Sequence, residues 1–220
     1  FAKIEIDGTK VRAGAAALDA QVAKAAGRAG VTGLEFYRGV PGTIGGALAM
    51  NAGAYEQETK DVLVEAVAYD RSGARRMLKN ADMKFSYRHN GAGEGLIFTE
   101  ALFEGRAGDP AAIEARMKSI MERREASQPI RERTGGSTFA NPDPKESGGL
   151  KSWQLIDKVG GRGRIVGDAQ VSEQHCNFMI NRGKATANDI ETLVEGLREE
   201  VLKQTGVSLR WEIKRIGEPA

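Results

Sequence analysis

The chain has 220 residues, 40% of them hydrophobic and 28% charged, and its formal net charge is +2. This length suits one large domain or two small ones, and the balanced charge does not indicate binding to nucleic acid or a membrane surface. The sequence has no apolar run of about 18 residues, the length that suggests a membrane span, and its one cysteine, Cys176, fits a reducing compartment, so we expect a cytoplasmic protein.

The first half of the chain alternates between helical and strand-like apolar spacing. The segments predicted in chain order are a strand from Phe1 to Ile6, a helix over 15–29, a strand hairpin over 61–78 and a strand over 96–103. Residues 110–126 then return to helical spacing, with Ile113, Met117 and Ile120 on one face. We interpret this methionine-containing face as core and not as a cofactor contact.

A change in composition follows this helix. The sequence Gln-Pro-Ile at 128–130 ends the helical pattern, and residues 134–149 are rich in Gly, Pro and Ser. We therefore predict two domains, 1–127 and 128–220.

The second domain is predicted to mix helices and strands. The predicted elements are a helix over 153–159, strands over 164–171 and 177–181, a helix around 190–201 and a final alternating strand over 207–214. Thr186 and Asp189 have the spacing of an N-terminal cap for the second helix, and Gly206 marks its end.

The most unusual stretch is GVPGTIGGALAMNAGAY, residues 39–55, in which glycine and alanine replace most side chains. Dense glycine indicates positive φ angles or close approach of the backbone to another group, and freed backbone N–H groups can bind an anion or the edge of a cofactor. A surface loop without a ligand explains the same composition equally well. Neither GxGxxG nor a P-loop is present, so the glycine pattern alone does not identify a ligand.

Three side chains are candidates for chemistry, and each also has an ordinary structural explanation. Arg88 can be a solvated loop arginine, Ser137 a turn serine, and Glu212 a strand-surface carboxylate paired with Lys214 or Arg210. No His/Asp pair adjoins Ser137 in the sequence. Because neither histidine has zinc-ligand spacing with Cys176, we expect no metal site.

A resemblance to a known family changes the weight of these candidates. The segment GLEFYRGVPGTIGGALAMNAGAY and the later segments FSYRHN, QPIRERTGGSTFANP, SWQLID, GDAQVSEQHCNFMIN and WEIKRIG resemble, in the same order, the UDP-N-acetylenolpyruvoylglucosamine reductases. The resemblance implies an α+β fold, with part of a flavin-binding domain of the FAD-linked oxidase type followed by a smaller α+β substrate-binding domain that ends in a strand.

The resemblance also assigns roles to residues. It implies a catalytic set in which Arg88 binds the substrate carboxylate, Ser137 donates a proton and Glu212 is the third member. The implied FAD-binding residues are Pro41, Gly42, Thr43, Gly45, Gly46, Asn51 and Gly53. The implied substrate-binding residues are Asn141, His175 and Asn177, although packing explains the last two nearly as well. Arg131 belongs to a local positive cluster that could face a diphosphate, but such a cluster is more often a solvated helix end.

The implied activity is FAD-dependent, NADPH-using reduction of the enolpyruvyl group of a UDP-sugar, in the family branch without an extra tyrosine-bearing loop. We expect a monomer. Because the chain begins at Phe1 and the family carries a further flavin-binding segment before this point, we expect a fragment. The alternative from another class is a non-catalytic module that binds a nucleotide-sugar. An oxygen-using flavin oxidase is disfavoured, because such enzymes commonly tether flavin through His or Cys and the glycine-rich stretch has neither.

Overall fold

A computed structural model describes residues 1–217 of the chain, which divides into two compact units, Phe1–Arg123 and Arg124–Ala220. Each unit has its own hydrophobic core. Among residues 1–217, no helix combines the length and the apolar character needed to cross a lipid bilayer.

The first unit is built on a five-stranded antiparallel sheet. The strands of this unit are β1 (Ile4–Asp7), β2 (Lys10–Gly14), β3 (Val31–Thr32), β4 (Gly53–Ala54), β5 (Gln57–Glu58), β6 (Leu63–Tyr69), β7 (Arg75–Lys79), β8 (Ile97–Glu104) and β9 (Arg106–Ala107). The main sheet has the order β1-β2-β8-β6-β7, while β3 pairs with β9 and β4 pairs with β5.

The helices that begin in the first unit are α1 (Asp19–Arg28), α2 (Ile44–Met50) and α3 (Pro110–Ser127), with short 3₁₀ turns at Glu35–Gly39, Thr59–Asp61 and Asn80–Met83. Of these helices, α1 and α2 contact strands of the main sheet, and α3 packs on α1, where Ile113 and Met117 lie against Gly27. Apolar side chains from the sheet and helices form one core, in which Phe36, Tyr37 and Phe103 are fully buried. The Tyr37 hydroxyl donates a hydrogen bond to Thr59 Oγ1 at 3.1 Å, so its polar end is satisfied inside this core.

The second unit combines a four-stranded sheet, a two-stranded ribbon and helices. Its elements are β10 (Thr134–Ser137), β11 (Phe139–Ala140), α4 (Pro144–Ser147), α5 (Ser152–Lys158), β12 (Ile165–Val166), β13 (Ala169–Val171), β14 (Phe178–Asn181), α6 (Ala187–Thr205) and β15 (Arg210–Trp211). The sheet order is β10-β14-β13-β12, and β11 pairs with β15. The apolar face of α6 packs into the core of this unit through Leu193, Val194, Leu197 and Val201.

Most predicted elements are present, and some of them have different bounds. The predicted helix over 15–29 begins only at Asp19, because Leu18 is extended with a ψ of 133° and the carbonyls of Ala15 and Ala17 accept the N–H groups of Gly45 and Ile44 instead of helical partners. The final strand is ladder-paired only at Arg210–Trp211. The cap at Thr186 and Asp189 and the helix end at Gly206 are confirmed, and Gly206 has a φ of 74°.

Asp19, the first residue of α1, is an exception to the usual placement of acids. The residue is 1% exposed and neither carboxylate oxygen has a hydrogen-bond partner among residues 1–217. Burial raises its pKa to about 7. Its oxygen Oδ2 would lie 3.2 Å from a Cβ at position 42, so Gly42 leaves the space that this carboxyl occupies.

The β4–β5 hairpin turns through two residues that both have positive φ, Tyr55 at 54° and Glu56 at 67°. Two positive φ angles define a type I′ turn, which matches the twist of the flanking strands and favours Asn and Gly. Glu56 therefore occupies a backbone conformation that costs a residue with a Cβ about 1 kcal/mol or more.

We predict that Glu56→Gly raises the free energy of unfolding by about 1 kcal/mol, because glycine adopts this φ without steric conflict. Urea denaturation of both proteins measures the change. Glu65→Gly, in the extended strand β6, is the matched control and is expected to lower stability. Equal destabilisation by the two substitutions would contradict the strain at Glu56.

We also predict that Asp19 makes stability depend on pH. Since its pKa in the folded state is raised from 3.8 to about 7, the carboxyl favours folding below about pH 4 and this contribution is lost as pH rises to about 7. Relative to the wild type, Asp19→Asn should gain stability between pH 4 and 8, of the order of 3 kcal/mol. Denaturation at several pH values gives this difference, and a constant difference across the range would disprove it.

Candidate functional site

The glycine-rich stretch is not an open loop, because residues 44–50 form the helix α2. Some of its glycines are required by the protein itself. A Cβ on Gly45 would lie 3.2 Å from Ala15, and a Cβ on Gly53 would lie 2.6 Å from the carbonyl oxygen of Gln57. These positions admit glycine for packing reasons, whatever else binds nearby.

The outer face of this stretch has a different character. Pro41, Gly42, Gly46 and Ala49 are exposed, and a Cβ on Gly46 would meet nothing within 4 Å. The exposed surface therefore consists of backbone, a proline ring and methyl groups. Such a surface lets a flat cofactor approach the backbone closely, so these residues fit the flavin that the resemblance implies.

Asn51 has a structural role that its sequence position does not reveal. The residue ends α2 with a left-handed φ of 43° and is fully buried. Its side-chain nitrogen donates to Glu58 Oε2 at 3.0 Å and to the Ser86 carbonyl at 3.2 Å, while its oxygen accepts from the Lys60 N–H at 3.0 Å. Asn51 thus ties the glycine-rich stretch to the segment that carries Arg88.

Arg88 lies beside the glycine-rich stretch in the first unit. Its Nη2 donates to the Gly53 carbonyl at 3.1 Å, and its guanidinium stacks on the Tyr87 ring at 4.9 Å. The backbone φ of Arg88 is 53°, which is unfavourable for a residue with a long side chain. Strain of this kind is concentrated at functional sites, where a side chain has to be held in one direction.

Ser137 and Glu212 lie on adjacent segments of the second unit. The Glu212 N–H donates to the carbonyl of Thr138, the residue after Ser137, at 2.8 Å. Ser137 itself pairs with Phe178, and a β-bulge separates this pair from the Thr134–Ile180 pair. Gly136, with a φ of 93°, lies in the bulge. Bulges redirect a side chain, and here the half-buried Ser137 is the redirected residue.

Asn177 holds the strand that follows Ser137. Its side-chain oxygen accepts from the Phe139 N–H at 3.0 Å and its side-chain nitrogen donates to the Phe139 carbonyl at 2.8 Å. The Asn177 carbonyl also accepts from the Thr138 N–H at 2.8 Å. The amide, which is 4% exposed, therefore acts as a substitute strand partner for Phe139. Its predicted contact with substrate stays a prediction, and the observed contacts indicate a positioning effect.

The other predicted substrate residues are distributed around the second unit. His175 packs between the rings of Trp153 and Phe178, and burial lowers its pKa, so its ring is neutral at pH 7. Asn141 is exposed and accepts a hydrogen bond from the Ser152 N–H at 3.2 Å. Arg131 lines a separate cavity of about 290 Å³ with Gln128, Glu132 and Gln174 among its walls. These three roles also remain predictions.

Sequence reasoning missed Asp19 and Thr138, two buried polar residues with unpaired side-chain oxygens. Thr138 could have been found from its position next to the candidate Ser137. Asp19 gives no such signal, since an acid at the first turn of a helix is normally an exposed capping residue.

Two family profiles match the chain. One is described as the C-terminal domain of UDP-N-acetylenolpyruvoylglucosamine reductase and matches residues 128–216, and the other, described as an FAD binding domain, matches residues 1–78.

Full-length relatives agree with these profiles. The UDP-N-acetylenolpyruvoylglucosamine reductase of Parvibaculum lavamentivorans is 62% identical over 99% of this chain and 68% of the relative. The enzyme of the same name from Phenylobacterium zucineum is 61% identical over 100% of this chain and 72% of the relative.

A solved structure supports the same assignment. The crystal structure of UDP-N-acetylenolpyruvylglucosamine reductase from Thermus caldophilus superposes with a TM-score of 0.80 at 32% identity, covering 91% of this chain and 71% of that one. The predicted α+β fold and family are therefore confirmed. The chain belongs to the UDP-N-acetylenolpyruvoylglucosamine reductase family of FAD-dependent oxidoreductases.

Proposed function

We propose that this protein reduces the enolpyruvyl group of UDP-N-acetylglucosamine enolpyruvate to give UDP-N-acetylmuramate, a precursor of peptidoglycan, with FAD as cofactor and NADPH as reductant. The observation that carries the proposal is the hydrogen bond from the Glu212 N–H to the Thr138 carbonyl, which brings the backbone of Glu212 next to the residue that follows the proposed proton donor Ser137. Family membership and the exposed glycine face support the same reaction. Cytoplasmic location and a monomeric state are part of the proposal.

FAD, when bound, supplies hydride to the distal carbon of the enol ether, and we propose that Pro41, Gly42, Thr43, Gly45 and Gly46 hold it. Negative charge then develops on the adjacent carbon and spreads into the substrate carboxylate. A guanidinium can bind this carboxylate through two N–H groups, and we assign that role to Arg88. Removing one donor of this type typically costs about 3 to 4 kcal/mol of transition-state stabilisation.

Ser137 completes the reduction by giving its hydroxyl proton to the carbon that carries the charge, and solvent returns a proton to the serine oxygen. A serine hydroxyl is a weak acid, which suits transfer to a strongly basic carbanion-like centre. A positioned acid contributes about a hundred- to ten-thousandfold. We propose that Glu212 also acts at the substrate carboxylate, either by donating a hydrogen bond to it or by orienting the guanidinium of Arg88.

Ser137→Ala tests the proton-donor role. In FAD-loaded protein we expect enolpyruvyl reduction to fall by about a hundredfold or more, while reduction of the flavin by NADPH changes little. Stopped-flow absorbance follows the two half-reactions separately, and Ser208→Ala, at an exposed serine of the same unit, is the control.

Equal loss of both half-reactions in Ser137→Ala would contradict the proton-donor role. Protein that binds the UDP-sugar but shows no flavin absorbance after incubation with FAD would instead fit the nucleotide-sugar-binding alternative.

Asn177→Ala tests the positioning of Ser137 and Glu212. Because both Phe139 backbone groups would lose buried partners, we expect unfolding free energy to fall by about 3 kcal/mol. Turnover should fall with little change in KM for the UDP-sugar. The reason is that a residue with a positioning role shifts the catalytic groups when it is replaced, but its loss removes no contact with the substrate. Asn188→Ala, at an exposed helical site, is the control. A raised KM with unchanged turnover would instead support direct substrate contact.

A further inference from the structure

We propose that the first unit contains a second ligand site, a cavity of about 580 Å³ that binds a small phosphate monoester with an apolar body. We call it the arginine pocket. Its walls include Arg106, Arg116, Arg123, Tyr55, Ile120 and Phe36. None of the residues assigned above to catalysis, flavin or substrate lines it, so the inference goes beyond the proposed function.

An ion pair between the exposed Arg116 and the buried Glu35 holds the central arginine of this pocket. Glu35 is 6% exposed, and its Oε1 accepts from Arg116 Nε at 2.9 Å and from Nη2 at 2.7 Å. Thr32 Oγ1 accepts a further bond from Nη2 at 2.9 Å. Among residues 1–217, the Arg116 Nη1 has no partner, so a rigidly held guanidinium keeps two N–H groups for a ligand.

The carboxylates in the wall are already engaged. Burial alone would raise the pKa of Glu35, but hydrogen bonds from Thr32 and Arg116 outweigh it and the pKa is lowered, so the group stays ionised against Arg116. Asp109 accepts from the N–H groups of Ala111 and Ala112 at the start of α3. The Asp109 charge is thus compensated by the helix end, and the remaining arginines leave the pocket positive.

Arg106 and Arg123 supply that positive charge. Arg106 is exposed on β9, and its guanidinium has no partner within residues 1–217. The guanidinium of Arg123 stacks on the Tyr55 ring at 4.6 Å. One arginine guanidinium can donate two parallel N–H hydrogen bonds to a phosphate group. Arg106 and Arg116 therefore suit a clamp for a phosphate.

The lining of the pocket also includes apolar residues. Phe36 is fully buried, Ile120 is 6% exposed, and Ala112 contributes a methyl group. A volume of about 580 Å³ falls within the range of small-molecule sites, in which an apolar lining surrounds a few placed polar groups. A phosphate monoester with an apolar ring matches both the clamp and this wall.

Phenyl phosphate is the probe, because it resembles neither the flavin nor the UDP-sugar. Calorimetric titration of the FAD-loaded protein should show binding that is at least fivefold tighter than binding of inorganic phosphate, while phenol shows none. Arg106→Gln should weaken the binding of phenyl phosphate about tenfold, since one charged donor pair is lost. Arg75→Gln, at an exposed arginine of β7, should leave it unchanged.

Several results would overturn the proposal. If phenol binds as tightly as phenyl phosphate, the arginines do not act as an anion clamp. If inorganic phosphate binds as tightly as phenyl phosphate, the pocket does not select a phosphate ester. An unchanged affinity in Arg106→Gln, or equal weakening in Arg75→Gln, would place the binding elsewhere. Because Arg116→Gln leaves Glu35 buried without its partner, it is expected to reduce stability, and Arg106→Gln therefore carries the test.

Discussion

One side-chain amide holds the candidate chemistry of the second unit together. Asn177 bonds to both backbone groups of Phe139, and its own carbonyl binds the N–H of Thr138. The Thr138 carbonyl in turn accepts the N–H of Glu212. A residue with only an acceptor or only a donor could satisfy half of this arrangement, and the other half would be left as an unpaired buried backbone group. These bonds hold the backbone of Glu212 against Thr138, the residue after Ser137.

The glycine-rich stretch of the first unit serves two requirements at once. Gly53 is needed because neighbouring backbone occupies the space of a side chain, and Gly45 packs tightly on Ala15, whereas Gly46 faces open space. Gly42 meets both the packing requirement and the surface requirement, because it is exposed and also lies over the Asp19 carboxyl. Glycine density alone therefore could not separate packing from ligand binding. The structure separates the two requirements position by position, and the exposed Pro41, Gly42 and Gly46 leave the most room for a cofactor.

The sequence predicts an element's bounds where neighbouring residues set them. It does not predict bounds that are set by residues far along the chain. The cap at Thr186 and the end of α6 at Gly206 depend on neighbours in the sequence, and both are found. The start of α1 depends on Ile44 and Gly45, whose N–H groups bond to the carbonyls of residues 17 and 15, and the apolar periodicity does not show these distant partners. The family resemblance supplied the candidate residues Arg88, Ser137 and Glu212, but not the Asn177 bonds that connect two of their segments.

Local backbone geometry and burial explain why Ser137 is the hydroxyl suited to act. Ser137 ends β10, and Thr138 lies between β10 and β11. Thr138 is fully buried and its hydroxyl has no partner within residues 1–217, while Ser137 is half-buried and follows Gly136, which has a φ of 93°. A proton donor must reach a substrate carbon, and a fully enclosed hydroxyl cannot. The bulge at Gly136 thus selects one hydroxyl from two chemically similar neighbours.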